Sequence, residues 1–229
     1  MPRTAFFVAL VLAAFLCASP APGALQGITS REAASGLKAA LERGATAAVA
    51  RLGRTDGFFA NPQVKIPLPE SMQRAEKVMR RMGMGRSADE LILALNRAAE
   101  AAVPHAKELF IDSVRRMSVQ DAKAILQGGE TAGTAYFRRT TEGELRKRFL
   151  PIVKQSTAKV GLAQQYNEYA EKGAAFGLVK KEDANLDNYV TQKALDGLFL
   201  MVGEEEKRIR KDPVRAGTDI AKKVFGALR

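Results

Sequence analysis

The segment DNYVTQKALDGLFLMVGEEEKRIRKDP, residues 187–213, decides the fold that we predict for this chain. We expect one long helix with Asp187 as its N-cap, because a short side-chain oxygen can accept hydrogen bonds from the first turn. The helix should end before Pro213, whose ring prevents helical continuation. Residues 198–202 are apolar in every direction around the helix axis, which indicates burial on all sides. The charged residues 204–211 are expected to face water.

Helical periodicity recurs along the rest of the chain and predicts an all-α protein, with a single multi-helix domain built around this buried helix. Residues 28–52 should form a helix capped by Thr29 or Ser30. Further helices are expected over residues 69–82, from an N-cap at Ser87 through a kink at Pro104 to Met117, from Ser118 to a left-handed stop at Gly128-Gly129, over 134–139, from Thr141 to 160, over 162–171 and over 213–228.

Residues 53–69 interrupt the helical pattern because they contain Asn61-Pro62, Pro67 and Pro69. The segment is nevertheless too apolar to be a free linker. We predict an extended Pro-rich strap lying across the helices, with a short edge strand at residues 64–66. Its candidate ligand-binding residues are Phe58, Phe59, Ile66 and Leu68. These side chains either cover a groove between helices or only complete the core.

The N-terminus has the pattern of a secretory signal peptide. Arg3 precedes an uncharged apolar run at residues 5–18, and the small residues Ala21 and Gly23 follow it. The run is shorter than the ~20 apolar residues of a transmembrane helix. We therefore predict cleavage before Ala24.

This cleavage divides the chain into a signal peptide, residues 1–23, and one helical domain, residues 24–229, that is released into the periplasm without a transmembrane segment. Cys17 raises the alternative of a lipoprotein, but Leu16 stands directly before it, where a lipid-attachment site requires a small residue.

The predicted mature chain has 35 basic and 25 acidic residues, a net charge of +10, because the removed segment contains one Arg and no acid. It contains no cysteine, and His105 is its only histidine. A Cys–His dyad or a histidine metal pair therefore cannot be built. No cofactor and no metal site are predicted, and the protein is expected not to be an enzyme.

A basic cluster occupies residues 138–159, and its candidate ligand-binding residues are Arg138, Arg139, Lys147 and Arg148. In the periplasm the partners that suit these charges are an anionic lipid, lipopolysaccharide or an envelope protein. Nucleic acid is not expected, since the chain shows a secretory signal and no nucleic-acid-binding motif. The alternative is an ordinary solvated face whose arginines tie helices together. The oligomeric state is not predicted.

The main functional prediction is a non-enzymatic protein that binds an envelope component. The alternative is an envelope hydrolase that uses two carboxylates facing each other across a cleft, with Asp121, Asp196 and Glu100 as candidates. Two accessible carboxyl groups with raised pKa in one cleft would favour the hydrolase. A groove without acids beneath the strap would favour binding.

Four segments resemble a known family: NPQVKIPLP at residues 61–69, DAKAILQGG at 121–129, YFRRTT at 136–141 and YVTQKALDGLF at 189–199. Together they resemble the bacterial family called domain of unknown function 4197, over about residues 36–226. The resemblance implies an exported, helical protein of Gram-negative-type bacteria. It implies no activity and no catalytic residue.

The cleavage site can be tested by measuring the intact mass of the exported protein. We expect a chain that begins at Ala24 and carries no modification. A mature N-terminus at a lipid-modified Cys17 would contradict this and would establish the lipoprotein alternative.

Overall fold

The computed structural model describes residues 28–81, 83, 85–159, 161, 163–164, 166–167 and 185–226. The predicted signal peptide and much of the predicted helix at residues 162–171 lie outside these residues. Within them the chain is helical and contains no β-strand. The helices are α1 (Ser30–Leu52), α2 (Glu70–Arg81), α3 (Gly85–Ala102), α4 (Ala106–Arg116), α5 (Val119–Gln127), α6 (Ala132–Thr157), α7 (Leu186–Lys211) and α8 (Asp219–Gly226), with 3₁₀ turns at Val103–His105 and Pro213–Ala216. The predicted all-α, single-domain fold is confirmed.

Helix α7 is the centre of the domain, as predicted, and it packs against α1, α3 and α6. Leu198, Phe199, Met201 and Val202 are all buried. The remaining member of the apolar run, Leu200, is 45% exposed, so the burial of α7 is not complete around its axis. The apolar residues of α7 thus lie at the contacts between three other helices, which gives the domain its core.

The start of α7 differs from the prediction. Asn185, not Asp187, is the N-cap, and its side chain accepts a hydrogen bond from the backbone N–H of Asn188 at 3.0 Å. Asp187 is the second residue of α7, where it is buried and accepts a hydrogen bond from the hydroxyl of Thr157 at the end of α6. A buried carboxylate needs such a partner, and this one joins α6 to α7.

The second half of α7 was predicted to stand in water, and at Glu206 this prediction is wrong. Its buried carboxylate accepts hydrogen bonds from the backbone N–H groups of Gly133 and Thr134, at 2.9 and 2.7 Å, and from the Thr134 hydroxyl at 2.8 Å. Arg210 forms an ion pair with it at 3.0 Å. Glu206 therefore caps the first turn of α6, whose own N-cap residue Thr131 makes no side-chain cap bond.

Gly133 has a steric role at this junction. A Cβ atom there would lie 2.4 Å from Cδ2 of Leu41 and 3.1 Å from Oε1 of Glu206. A larger residue would force the buried side chain of Leu41 to shift, so glycine lets α6 begin close to both α1 and α7 without that shift.

The other helix ends agree only in part with their sequence patterns. The caps at Thr29 and Ser118 and the break at Pro104 are as predicted. The two predicted N-caps at Ser87 and Thr141 are wrong. Helix α3 begins before Ser87. Thr141 lies inside the single helix α6, where its hydroxyl donates to the carbonyl of Phe137 at 2.7 Å. The predicted left-handed stop is also wrong, because Gly128 has φ −84° and ψ 179°, an extended conformation.

Two leucines of α7 provide a matched test of its central position. We expect Leu198→Ala to lower the free energy of unfolding by ~2–5 kcal/mol, the range for truncation of a buried leucine. Leu200→Ala, the same change at an exposed position of the same helix, should cost less than ~1 kcal/mol. Urea denaturation of both variants measures the two values. Similar losses would contradict the central position of Leu198.

Candidate functional site

The strap, residues 53–69, runs as turns up to Val64 and is extended from Lys65 onward. From the end of the turns onward the side chains of Val64, Ile66 and Leu68 are buried, whereas Lys65 and Pro67 are exposed. This alternation is that of a β-strand with one buried face. The strap therefore inserts every second side chain into the core.

A side-chain amide on α3 takes the place of a partner strand. The N–H of Ile66 donates to Oδ1 of Asn96 at 2.8 Å, and Nδ2 of Asn96 donates to the carbonyl of Ile66 at 2.9 Å. Asn96 is itself fully buried. The predicted edge strand at residues 64–66 is thus wrong, because one amide satisfies both backbone groups of Ile66 and the following Pro67 has no N–H to extend a ladder.

Glu100 anchors the first part of the strap, one helical turn beyond Asn96. Its Oε1 accepts hydrogen bonds from the backbone N–H groups of Phe58 and Phe59, at 3.0 and 3.1 Å. Its Oε2 pairs with Arg97 at 2.6 Å, and Arg97 in turn pairs with Asp56 at 2.7 Å. The buried carboxylate therefore has hydrogen-bond partners on both of its oxygens.

The strap also lies directly on the central helix. At Gly197 of α7 a Cβ atom would lie 2.8 Å from Cε1 of Phe58 and 3.2 Å from Cβ of Val64. Glycine in the middle of a helix is costly, and here the close approach of the strap explains it. Of the predicted binding residues of the strap, Phe58, Ile66 and Leu68 are buried in the core.

Phe59 is the exception, since it is only partly buried and lines an open groove beside the strap. The groove has a volume of about 640 Å³. Its apolar surface comes from Phe59 and from Leu93 of α3, which is 37% exposed. The other lining residues are Arg80, Gly83, Gly85, Arg86, Asp89 and Glu90, from α2, from α3 and from the connection between them.

Cations surround the apolar part of this groove. The ammonium nitrogen of Lys65 lies 4.3 Å from the centroid of the Phe59 ring, and the guanidinium carbon of Arg97 lies 5.8 Å from it. Both distances are within the range of cation–π attraction. The Phe59 ring thus has Lys65 of the strap as a neighbour on one part of its surface and Arg97 of α3, which is paired with Asp56 and Glu100, on another.

The groove acids are already paired with arginines. Arg80 binds Glu76 at 2.9 Å and Asp89 at 2.5 Å. The hydrogen bond from Arg80, assisted by the charge of Lys65, lowers the pKa of Asp89. Arg86 is held more loosely, with 3.9 Å between its Nε and Glu90 and with both side chains strongly exposed. Arg86 is therefore the groove cation that can exchange its partner for a ligand most easily.

The basic candidates on α6 are placed elsewhere. Arg138 forms ion pairs with Glu142 at 3.3 Å and Asp196 at 3.5 Å, and its guanidinium carbon lies 4.5 Å from the centroid of the Phe199 ring. Arg139 pairs with Asp121 at 3.7 Å. Both arginines connect α6 to a neighbouring helix.

Lys147 and Arg148 share one acid, Glu144, at 3.8 and 3.6 Å. Both side chains remain exposed. None of the four basic candidates lines the groove, so the structure does not bring the two sets of predicted binding residues together.

The three candidate acids of the hydrolase alternative have separate tasks. Glu100 is buried beneath the strap, Asp196 accepts a hydrogen bond from Gln192 at 3.0 Å, and Asp121 caps α5 with Ser118. Hydrogen bonds from Ser118 lower the pKa of Asp121. A general acid needs a raised pKa, and Asp121 is displaced in the opposite direction. The described residues contain no group of three or more potential ligands suited to a metal ion.

Sequence reasoning missed Leu93, Arg80 and Arg86 as groove residues. A signal existed for Leu93, because it lies off the buried stripe formed by Leu91 and Leu95 on the same helix. Nothing in the sequence indicated that Arg80 and Arg86 line a groove, since arginines near helix ends are common.

Comparison with protein families adds one decisive finding. Residues 27–226 match the model of the family described as "Protein of unknown function (DUF4197)". The chain belongs to this family. The matched range includes the strap, both walls of the groove and α7, so the resemblance inferred from four segments is confirmed.

Comparisons of this DUF4197 protein with curated proteins and with solved structures found no match. Among the described helices, none combines the length and the apolar character that a membrane span requires.

The anchoring of the strap can be tested with Asn96→Ala. The variant leaves the buried N–H and carbonyl of Ile66 without their partner, and each unsatisfied group costs ~1–3 kcal/mol. We expect a fall in the free energy of unfolding of at least ~2 kcal/mol, together with faster hydrogen exchange at the amide of Ile66. Glu90→Ala, at an exposed position of the same helix, is the control and should change neither. Unchanged exchange at Ile66 in the Asn96 variant would contradict the anchoring role.

Proposed function

We propose that this DUF4197 protein is a periplasmic binding protein whose groove holds the apolar part of an anionic amphiphile from the cell envelope. The observation that carries the proposal is the joint placement of Phe59 and Leu93, two large apolar side chains that remain accessible inside a groove, with the ammonium group of Lys65 beside the Phe59 ring. Large apolar groups that the core leaves accessible in a concave site are typical of ligand-binding sites.

The dimensions of the groove support a small ligand. Its volume of about 640 Å³ lies within the ~300–1,000 Å³ range of small-molecule sites. A hydrocarbon chain would contact Phe59 and Leu93, and each methylene removed from water would contribute ~0.8 kcal/mol.

The charges favour an anionic headgroup. Asp89 is held by Arg80, whereas Arg86 is loosely paired and Lys65 lies beside the Phe59 ring. An incoming phosphate or carboxylate can therefore replace the weak contact between Arg86 and Glu90. The predicted signal peptide supports a location where such amphiphiles occur.

Binding is favoured over hydrolysis because none of the carboxylates considered among the described residues has the environment of a catalytic acid. The groove carboxylate Asp89 has a lowered pKa, and the three acids considered for the hydrolase serve as strap anchor, helix cap and ion-pair partner. We therefore assign the groove a binding role.

The absence of tryptophan from the sequence makes a clean binding assay possible. In Leu93→Trp the only indole of the protein lies in the groove, so decyl phosphate below its critical micelle concentration should shift its emission to shorter wavelength in a saturable manner. Phe59→Ala in the same background should weaken binding about tenfold, since the buried ring contributes ~1.5–3 kcal/mol when it is fully covered.

Leu200→Trp is the matched control, because Leu200 is similarly exposed but lies on α7 outside the groove. Its emission should not respond. An equal response of the two tryptophans, or binding that Phe59→Ala leaves unchanged, would contradict the proposed function.

A further inference from the structure

The outward face of α2 carries an apolar side chain that has no role in the core. Helix α2 packs chiefly against α3, and none of its described side chains is fully buried. Val78 is 53% exposed, and its neighbours Lys77 and Arg81 are exposed as well. Val78 and Arg81 are three residues apart and Lys77 and Arg81 are four apart, so the three side chains form one continuous patch on the helix.

The two cations of this patch differ from those of α6. No acid of the described chain lies within ion-pair distance of Lys77 or Arg81. Lys147 and Arg148 on α6 both contact Glu144. Within the part of the chain that the structure describes, no acid therefore neutralises the charge of the α2 patch, and the two cations can contact an anionic partner.

We propose that Lys77, Val78 and Arg81 form a docking surface for an anionic phospholipid membrane. The cations would lie among the lipid phosphates while Val78 enters the boundary between headgroups and acyl chains, as in interfacial amphipathic helices. A lipid surface fits better than an acidic protein groove because the patch lies on the outer face of a helix, and Val78 lies beside long, flexible cations that can reach the headgroups.

The docked orientation also places the groove near the membrane, because Arg80 of the same helix lines that groove. The docking surface nevertheless stands independently of the proposed function, since it requires no ligand in the groove. The docking surface and the groove function are tested separately by measuring vesicle binding and decyl phosphate binding on the same variants.

The experiment is co-sedimentation of the protein, starting at Ala24, with vesicles of phosphatidylglycerol and phosphatidylcholine, at physiological salt and at lower salt. Vesicles of phosphatidylcholine alone are the lipid control. Wild type should bind the anionic vesicles only, and more weakly as salt rises, because screening limits exposed charges to ~8 Å at physiological ionic strength.

Two double variants with equal charge changes test the location of the surface. Lys77→Glu with Arg81→Glu should lower the vesicle partition coefficient on the order of 30-fold, the loss expected for two cations near an anionic membrane. Lys147→Glu with Arg148→Glu makes the same change in net charge on α6 and should lower it less than about threefold, because those exposed residues belong to another helix and are not part of the proposed surface.

A valine pair tests the insertion of the apolar side chain. Val78→Asp should lower the partition coefficient about tenfold, whereas Val214→Asp, the same change at a valine that is 72% exposed outside α2, should leave it unchanged. Circular dichroism checks that each variant folds, and none of these residues is buried.

The docking surface is overturned if wild type fails to bind anionic vesicles at low salt, or if the α6 variant loses as much binding as the α2 variant. Equal effects of the two valine changes also overturn it. Loss of vesicle binding by the α2 variant with unchanged decyl phosphate binding in the Leu93→Trp background supports the surface and leaves the groove function intact.

Discussion

The structure depends on how an extended segment is buried inside a helical protein. Helices satisfy their own backbone groups, whereas a strap without a neighbouring strand must find other partners. Asn96 and Glu100, one turn apart on α3, provide them for Ile66, Phe58 and Phe59. These two side chains make it possible for the strap to fill the space between α3 and α7 without buried, unsatisfied backbone groups at those positions.

The same anchoring determines which strap residues are available for function. Because Glu100 holds the N–H groups of both phenylalanines, Phe58 points toward Gly197 in the core while Phe59 is left beside the groove. Pro67 and Pro69 have no N–H, so the outer edge of the strap cannot readily pair with a strand of another molecule. Phe59 is therefore suited to contact a ligand through its ring, and the strap is not suited to contact one through its backbone.

The sequence was sufficient to predict the helical fold, the central place of α7 and the existence of the strap, because each depends on local apolar spacing. It was insufficient to predict the burial of Glu206 and Asp187, because their hydrogen-bond partners are distant in sequence. A charged residue that caps another helix cannot be distinguished locally from one that faces water. The prediction of a helix start at Thr141 was wrong for a related reason, since Thr-x-x-Glu occurs both at helix starts and within exposed helix faces. Of the candidate site, Phe59 was predicted, but the groove required the packing of α3 against the strap.

The two walls of the groove differ in how firmly they are held. The wall that carries Leu93 belongs to α3, which is fixed by the buried contacts of Asn96 and Glu100 with the strap. The wall that carries Arg80 belongs to α2, and it is joined to α3 by an exposed ion pair that salt screens. A shift of α2 that breaks this exposed contact leaves the anchors of the strap in place, because they belong to α3. We infer that α2 can adjust to amphiphiles of different shape while Phe59 and Leu93 keep their positions.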